Sequence, residues 1–437
     1  MLQTFRNAWR IEELRKKILF TLLIVLLYRL GNAVPVPFVD TKALAEYFQS
    51  SGLQNTILGL FNVMSGGAFS QATIFALSIQ PYINASIIIQ LLTVAIPSLE
   101  RLSKQGGEGR KKLTKITRFA TLILAIAQAA AITVSWANQD GLETAIFSGL
   151  LTEKWMVGIF VAVMLIAGAM FTLWLGERIT ENGMGNGISL LIFVGILASA
   201  GLAIVAKFGE AFGGSQTAIW ELLGFVLMVI VIFALIVFVD LAERKIPVQY
   251  AKQIKGRKQY GGQSTYIPLK VNASGVLPII FATAIITFPQ LIAQMVAPQS
   301  AFYAWWVKWL GSGTPIYSVC VGLLILFFCY FYAQIQFNPE EVARNIQQYG
   351  GFIPGIRPGK PTYEYLVRIS KRVTLFGAIY LAFIAIVPSL IFSLVLDSTL
   401  VNALSATGML IVVSVALEFD KQLESQMMMK QYKGFLK

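Results

Sequence analysis

The chain has 437 residues, 56% hydrophobic and only 13% charged, whereas a soluble domain is nearer a quarter charged. Apolar character runs along the whole length, which excludes an ordinary globular protein and calls for a surface that faces lipid. The net charge is +13 and there is no His, so the usual general base and the commonest metal ligand are missing.

A helix crosses the hydrocarbon with roughly 20 mostly apolar residues. Ten segments fit, near 18–34, 74–96, 116–137, 153–175, 186–206, 218–239, 271–293, 314–336, 373–396 and 398–418. The first runs into Pro35-Val36-Pro37 with no small-residue cleavage site, so it reads as a retained span and not a signal peptide. Between spans 1 and 2, the stretch from Thr56 to Phe69 has helical spacing of apolar residues and then a break at Gly66-Gly67. It is too short to span. It reads either as an interfacial helix or as a re-entrant piece folded into a cavity, where irregular backbone is tolerated. Pro81 lies within expected span 2, and Pro278 and Pro289 within span 7, where they weaken helical hydrogen bonding and permit kinks. In span 8, Cys320 and Cys329 are nine residues apart, which puts them on nearly opposite helix faces and excludes a bridge between them.

Basic residues orient the spans. Lys42, Lys154, Lys207 and Lys308 fall on one side and Arg29 falls within span 1, leaving 30 of the 35 on the other side. The positive-inside rule then places both termini in the cytoplasm. Trp136, Trp155, Trp220, Trp305, Trp306 and Trp309 fall on the outer side, as for an interfacial aromatic belt. Two basic loops on the inner side, 240–270 and 337–372, are larger than topology requires and suit acidic partners. The expected architecture is all-α and integral to the membrane. Ten spans permit a five-plus-five split, 1–212 and 213–437, with the second half inverted and a pathway at the interface.

The expected membrane interior is nearly free of charge. Arg29 sits near the outer end of span 1, where it can snorkel, and Glu177, Asp240 and Glu418 sit at helix ends. Ion-coupled transporters usually keep ionisable groups within their spans, so the pattern argues against coupled ion transport. The segment Gly106–Lys112 lacks the spacing of a phosphate loop, and Gly183–Gly187 is flanked by spans, so both read as turns. A membrane enzyme is disfavoured because Glu340-Glu341 have no evident catalytic partners and His is absent.

Several runs carry a family resemblance. Ile74–Leu92 resembles the second span of bacterial SecY, the channel family of protein export. Gly183-Met184-Gly185-Asn186-Gly187-Ile188-Ser189, Pro268-Leu269-Lys270-Val271-Asn272 and Pro354-Gly355-Ile356-Arg357-Pro358-Gly359 resemble the same family, in the same order. The resemblance implies a channel that conducts unfolded, signal-bearing preproteins and releases apolar segments sideways into lipid. It implies a plug around Leu60, Phe61, Asn62, Val63, Met64, Ser65, Gly66 and Gly67, folded back as a short re-entrant helix. It implies a pore ring of Ile79, Ile83, Ile188, Ile192, Ile280 and Ile411, and a lateral gate between spans 2 and 7 with Pro81, Gln90, Asn272 and Pro278. Arg257, Lys258 and Arg357 are implied as docking residues for a SecA-type export ATPase or a ribosome, with ribosomal RNA contact. Small subunits of the SecE and SecG type are implied as partners, and the bacterial cytoplasmic (inner) membrane as the location. No cofactor, metal or catalytic residue is expected.

Overall fold

The computed structural model describes residues 2–50, 57–137, 154–213, 216–250, 253–255, 258–260, 264–272, 275–296, 300–311, 314–395 and 406–435. Each expected span overlaps a helix over its described residues: Glu12–Gly31, Gln80–Ala95, Gly107–Ala137, Lys154–Asn182, Gly187–Phe212, Gln216–Asp240, Leu277–Val296, Pro315–Gln336, Lys360–Val395 and Ala406–Phe435; residues 398–405 of the tenth lie outside the described residues. Among the described residues six helices are long and apolar enough to cross a membrane, or seven if Gln80–Ala95 and Pro97–Lys104 form one span. Span 1 carries Glu12 and Glu13 in its first turn and Arg29 in its last, and the final helix runs on through Glu418, Asp420 and Lys421. Glu12, Glu13, Asp420 and Lys421 belong to helix extensions beyond the apolar stretches, whereas Arg29 lies within span 1. The protein is a multi-pass membrane protein whose lipid-facing surface is lined by side chains such as Leu227, Phe238 and Phe376.

Span 2 starts later than its hydropathy suggests. Its helix begins at Gln80, with Ile79 as the N-cap and Pro81 in the first turn. Proline has no N–H to donate and suits that position. Pro81 therefore starts the helix and does not kink it. The sharp bend is instead at Ile96, where Gln80–Ala95 meets Pro97–Lys104 at 102°. Pro278 likewise occupies the first turn of Leu277–Val296, and only Pro289 lies inside that helix.

Residues 68–79 are irregular, with positive φ at Ala72 (45°) and Ser78 (48°), and most are buried. Such backbone is tolerated at membrane depth only where protein satisfies it. Here Val36 N–H donates to Ala72 O at 2.9 Å and Ile74 N–H to Val34 O at 3.1 Å. Thr172 Oγ1 donates to Ser78 O at 3.0 Å. Gly168 has no room for a side chain, because a Cβ there would overlap the Ile74 carbonyl.

The all-α expectation needs one correction. Strand β1 (Glu243–Tyr250) pairs antiparallel with β4 (Ser264–Lys270) and with the two-residue β5 (Gly351–Phe352), and β2 (Gln253–Lys255) pairs with β3 (Lys258–Tyr260). The two basic loops are therefore one unit, since β1 and β4 belong to the first and β5 to the second. Ile246, Val248, Leu269, Ala343, Ile346, Ile353 and Leu366 form its small core.

One further expectation shifts. Trp136 faces protein and not the surrounding lipid: it is 5% exposed and packs against Phe69, while Trp155, Trp220, Trp305 and Trp309 are exposed. Cys320 and Cys329 form no disulfide, as their spacing predicts.

Candidate functional site: a plugged apolar constriction

The short helix Ile57–Met64 is stopped by the sequence that follows it. Gly66 adopts φ +74°, Gly67 N–H donates to Asn62 O at 2.8 Å and Gly66 N–H to Val63 O at 3.1 Å. This is the paired bonding of a Schellman C-cap, in which glycine takes the left-handed position without a Cβ penalty. Asn62 also organises the return: its Oδ1 accepts from Ser70 N–H at 2.9 Å, and its carbonyl accepts from Ser65 Oγ at 3.0 Å. The chain thus turns back on itself within 57–70, so the segment is the re-entrant alternative and not a helix lying flat at the interface.

Its tip docks against three spans. Asn32 Nδ2, just past span 1, donates to Ser65 O at 2.9 Å. Ser199 Oγ, from span 5, donates to Val63 O at 3.0 Å. Gln80 Nε2, from span 2, lies 3.0 Å from Met64 Sδ. Span 5 approaches so closely that a Cβ on Gly195 would overlap the Met64 carbonyl oxygen. The tip is fully packed: Ser65 is 0% exposed and Met64 7%.

The six isoleucines belong to or pack against the same apolar cluster as the tip. Ile79, Ile83, Ile192 and Ile411 are buried and belong to one apolar cluster with Val63 and Met64, against which Ile188 and Ile280 pack. Four separate spans (2, 5, 7 and 10) contribute these side chains. Ile188 and Ile192 are one turn apart on Gly187–Phe212, whose start is fixed by Asn186 Oδ1 accepting from Ile188 N–H and Ser189 N–H. Ile79 precedes its helix and Ile83 follows one turn later, joined by the bond from Ile83 N–H to Ile79 O at 3.1 Å. Such an assembly can exclude water and ions by dewetting without any charged filter.

The other sequence-derived residues fall as follows. Gln90 Oε1 accepts from Tyr332 Oη at 2.9 Å, tying span 2 to span 8. Asn272 is 8% exposed and donates through Nδ2 to Asp240 Oδ1 at 2.7 Å, while Asp240 Oδ2 accepts from Ser414 Oγ at 2.6 Å. Asn272 therefore joins spans 6, 7 and 10 within the second half of the chain. Pro278 is buried and Arg357 exposed. Arg257 lies outside the described residues, and Lys258 opens β3. Leu60 and Phe61 lie in the short helix Ile57–Met64.

Arg29 departs from expectation. Its Nη1 does not snorkel outward but is buried beside the tip, where a Cβ on Gly66 would lie 2.7 Å from it. Sequence reasoning missed Asn32, Gln80, Gly195, Ser199 and Tyr332. Small and neutral polar residues in spans read by default as packing or interhelical hydrogen bonds, so nothing in the sequence separates them from their neighbours.

A re-entrant segment whose tip packs into an apolar cluster shared by several long apolar helices defines a multi-span helical membrane protein. The SecY family model matches residues 73–419, and the chain belongs to the SecY family. It is 45% identical over 444 residues to the protein translocase subunit SecY of Streptomyces galbus, with all of both chains covered. Its fold resembles a solved SecY structure whose plug domain is described as stabilizing the closed state of the translocation channel and maintaining a membrane seal (TM-score 0.64, 18% identity, covering 94% of this chain and 91% of that one). It also resembles Sec61 in a canine ribosome-channel complex (TM-score 0.60, 17% identity, covering 94% and 91%).

Proposed function

We propose that the chain is a channel for unfolded, signal-bearing preproteins across the bacterial cytoplasmic membrane, with both termini cytoplasmic, and that it releases apolar segments laterally into lipid. One observation carries this reading: the tip of the re-entrant segment and isoleucines from four spans share a single apolar cluster. In the closed state that cluster seals the membrane. In the open state the segment leaves and the isoleucines close around a passing chain. A ring without charges or directional hydrogen bonds accepts any sequence, and it re-forms a dry barrier when the chain has passed.

The two halves, 1–212 and 213–437, act as jaws. Spans 2 and 7 line the lateral gate, and the Tyr332–Gln90 bond ties gate span 2 of one half to span 8 of the other. A signal sequence, itself a short apolar helix, enters where those helices part. The folded unit made from loops 240–270 and 337–372 docks the driving partner. Exposed Arg357, whose backbone carbonyl accepts from Thr362 Oγ1 at 2.8 Å, presents its positive charge, and Arg257 and Lys258 add to the basic character of the first loop. That partner is a SecA-type ATPase or a ribosome. The ribosomal context of the Sec61 neighbour supports the latter, and a basic surface suits ribosomal RNA. Small subunits of the SecE and SecG type complete the complex. The channel itself performs no bond-making chemistry.

The test is reconstitution of the chain with its small subunits in sealed vesicles, with export ATPase, ATP and a preprotein. Protection of substrate from added protease that depends on both signal and ATP is the expected result. No protection from an intact, motor-bound complex, in this assay and again with translating ribosomes, contradicts the reading.

A further inference from the structure

Arg29 is a cation inside span 1 for which no anion appears among the described residues. It makes no ion pair with any described residue, and its Nη1 is buried without a hydrogen-bond acceptor. A buried donor without a partner retains its desolvation cost, and that cost is larger for a charged group. An ionisable group within a membrane span therefore calls for a functional account. The neighbour it abuts is diagnostic: Nη1 sits against Gly66, at the turn of the re-entrant tip, and has no hydrogen-bond partner there. The seated tip thus covers Nη1 without satisfying it.

Three residues on, Asn32 does the opposite. Its Nδ2 donates to Ser65 O at 2.9 Å and so holds the tip down, while its Oδ1 is buried and unpartnered. Span 1 therefore meets consecutive tip residues with opposing effects, a clasp on Ser65 and an unsatisfied charge under Gly66.

We propose that Arg29 is a release element for the plug. Closure leaves its Nη1 without a partner, and departure of the tip exposes Nη1 to water and to the backbone carbonyls of a transiting chain. Asn32 supplies the counteracting hold, and the balance keeps the plug seated but ready to leave. The chemistry that satisfies Arg29 in the open channel is the peptide carbonyl, which every polypeptide carries regardless of sequence. This inference rests on the reading of residues 57–69 as a plug.

The two residues have opposite predicted signs, which makes the inference testable. The assay is ion efflux from sealed vesicles holding the complete complex, without substrate, together with the rate of preprotein translocation. Asn32→Ala raises resting efflux about fivefold, the equivalent of one ordinary hydrogen bond. Arg29→Met or Arg29→Gln, placed in the Asn32→Ala background, lowers that efflux several-fold, and alone each slows translocation. Arg29→Lys, which keeps the charge, behaves as the native residue. The Gln variant guards against a folding defect confined to Met, and only complexes that purify intact with their small subunits are compared. If either neutral variant raises efflux, Arg29 is a second clasp and the inference is overturned. It is also overturned if neither changes efflux in the Asn32→Ala background while deletion of the plug does raise it. If deletion of the plug leaves efflux unchanged, the plug reading itself fails and takes the inference with it.

Discussion

Replacing Gly195 with alanine tests the seating of the plug through one atom. An added Cβ would overlap the Met64 carbonyl oxygen and lie 3.1 Å from the Met64 carbonyl carbon and 3.4 Å from the Gly66 nitrogen. These are backbone atoms of a capped turn and cannot rotate aside as a side chain would. The tip has to lift by about 1 Å to regain ordinary contact distances. Overpacking of this kind costs about 1–3 kcal/mol. Alanine also improves helix propensity by about 0.5–1 kcal/mol, but that gain is common to the seated and unseated channel and cancels between them. The seated fraction therefore falls relative to the unseated by about 5- to 140-fold, while the stability of the complex falls by no more than the overpacking cost less the propensity gain, about 2.5 kcal/mol at most. The assay is potassium efflux from vesicles containing the reconstituted complex, alongside thermal unfolding in detergent. Gly201, on the same helix with open space around it, is the matched control, and Gly201→Ala leaves efflux unchanged. Equal efflux from Gly195→Ala and native channels would refute the reasoning, because it would mean that the tip does not bear on span 5 when the channel is closed.

Other perturbations address the remaining parts. Ile280→Asn or Ile411→Asn puts a hydrated group in the apolar cluster, and each is expected to raise resting ion efflux and to permit export of substrates with defective signals, read by efflux and by protease protection. Tyr332→Phe removes the hydroxyl that bonds Gln90. It is expected to favour the parted gate by about 1 kcal/mol, measured as faster cross-linking of a signal peptide to span 2. Arg357→Glu reverses an exposed charge on the loop unit and is expected to abolish motor-driven export while leaving thermal stability and resting efflux unchanged.

How much was legible in the sequence depends on the physics involved. Hydropathy points to the helices, because an apolar stretch has to become a helix to satisfy its backbone in lipid. It placed the start of span 2 too early, since residues 74–79 are as apolar as the helix after them and only tertiary hydrogen bonds keep them irregular. Pro81 was visible, but its role as a helix starter and not a kink depends on where the helix begins. The β1–β4 pair was missed because each strand carries a proline, Pro247 and Pro268, and β1 opens on the charged run Glu243-Arg244-Lys245, which reads equally well as a loop. The six isoleucines were legible only through resemblance, as isoleucine is common on lipid-facing helices. Asn32, Ser199 and Gly195 act through the plug's backbone, and a backbone contact leaves no pattern in the sequence of either partner. Arg29 was visible as a lone charge within a span, yet its orientation toward Gly66 follows from packing alone.

The most direct measurement places a translocating chain against the isoleucines themselves. A preprotein carrying one cysteine and stalled by a folded C-terminal domain is offered to channels with cysteine at Ile83, Ile192, Ile280 or Ile411, and disulfide formation is scored. Adducts at all four positions, together with none at lipid-facing Leu227, are the predicted result. Stalled chains that cross-link to none of the four while remaining protected from protease would show that polypeptide crosses by another route and contradict the account.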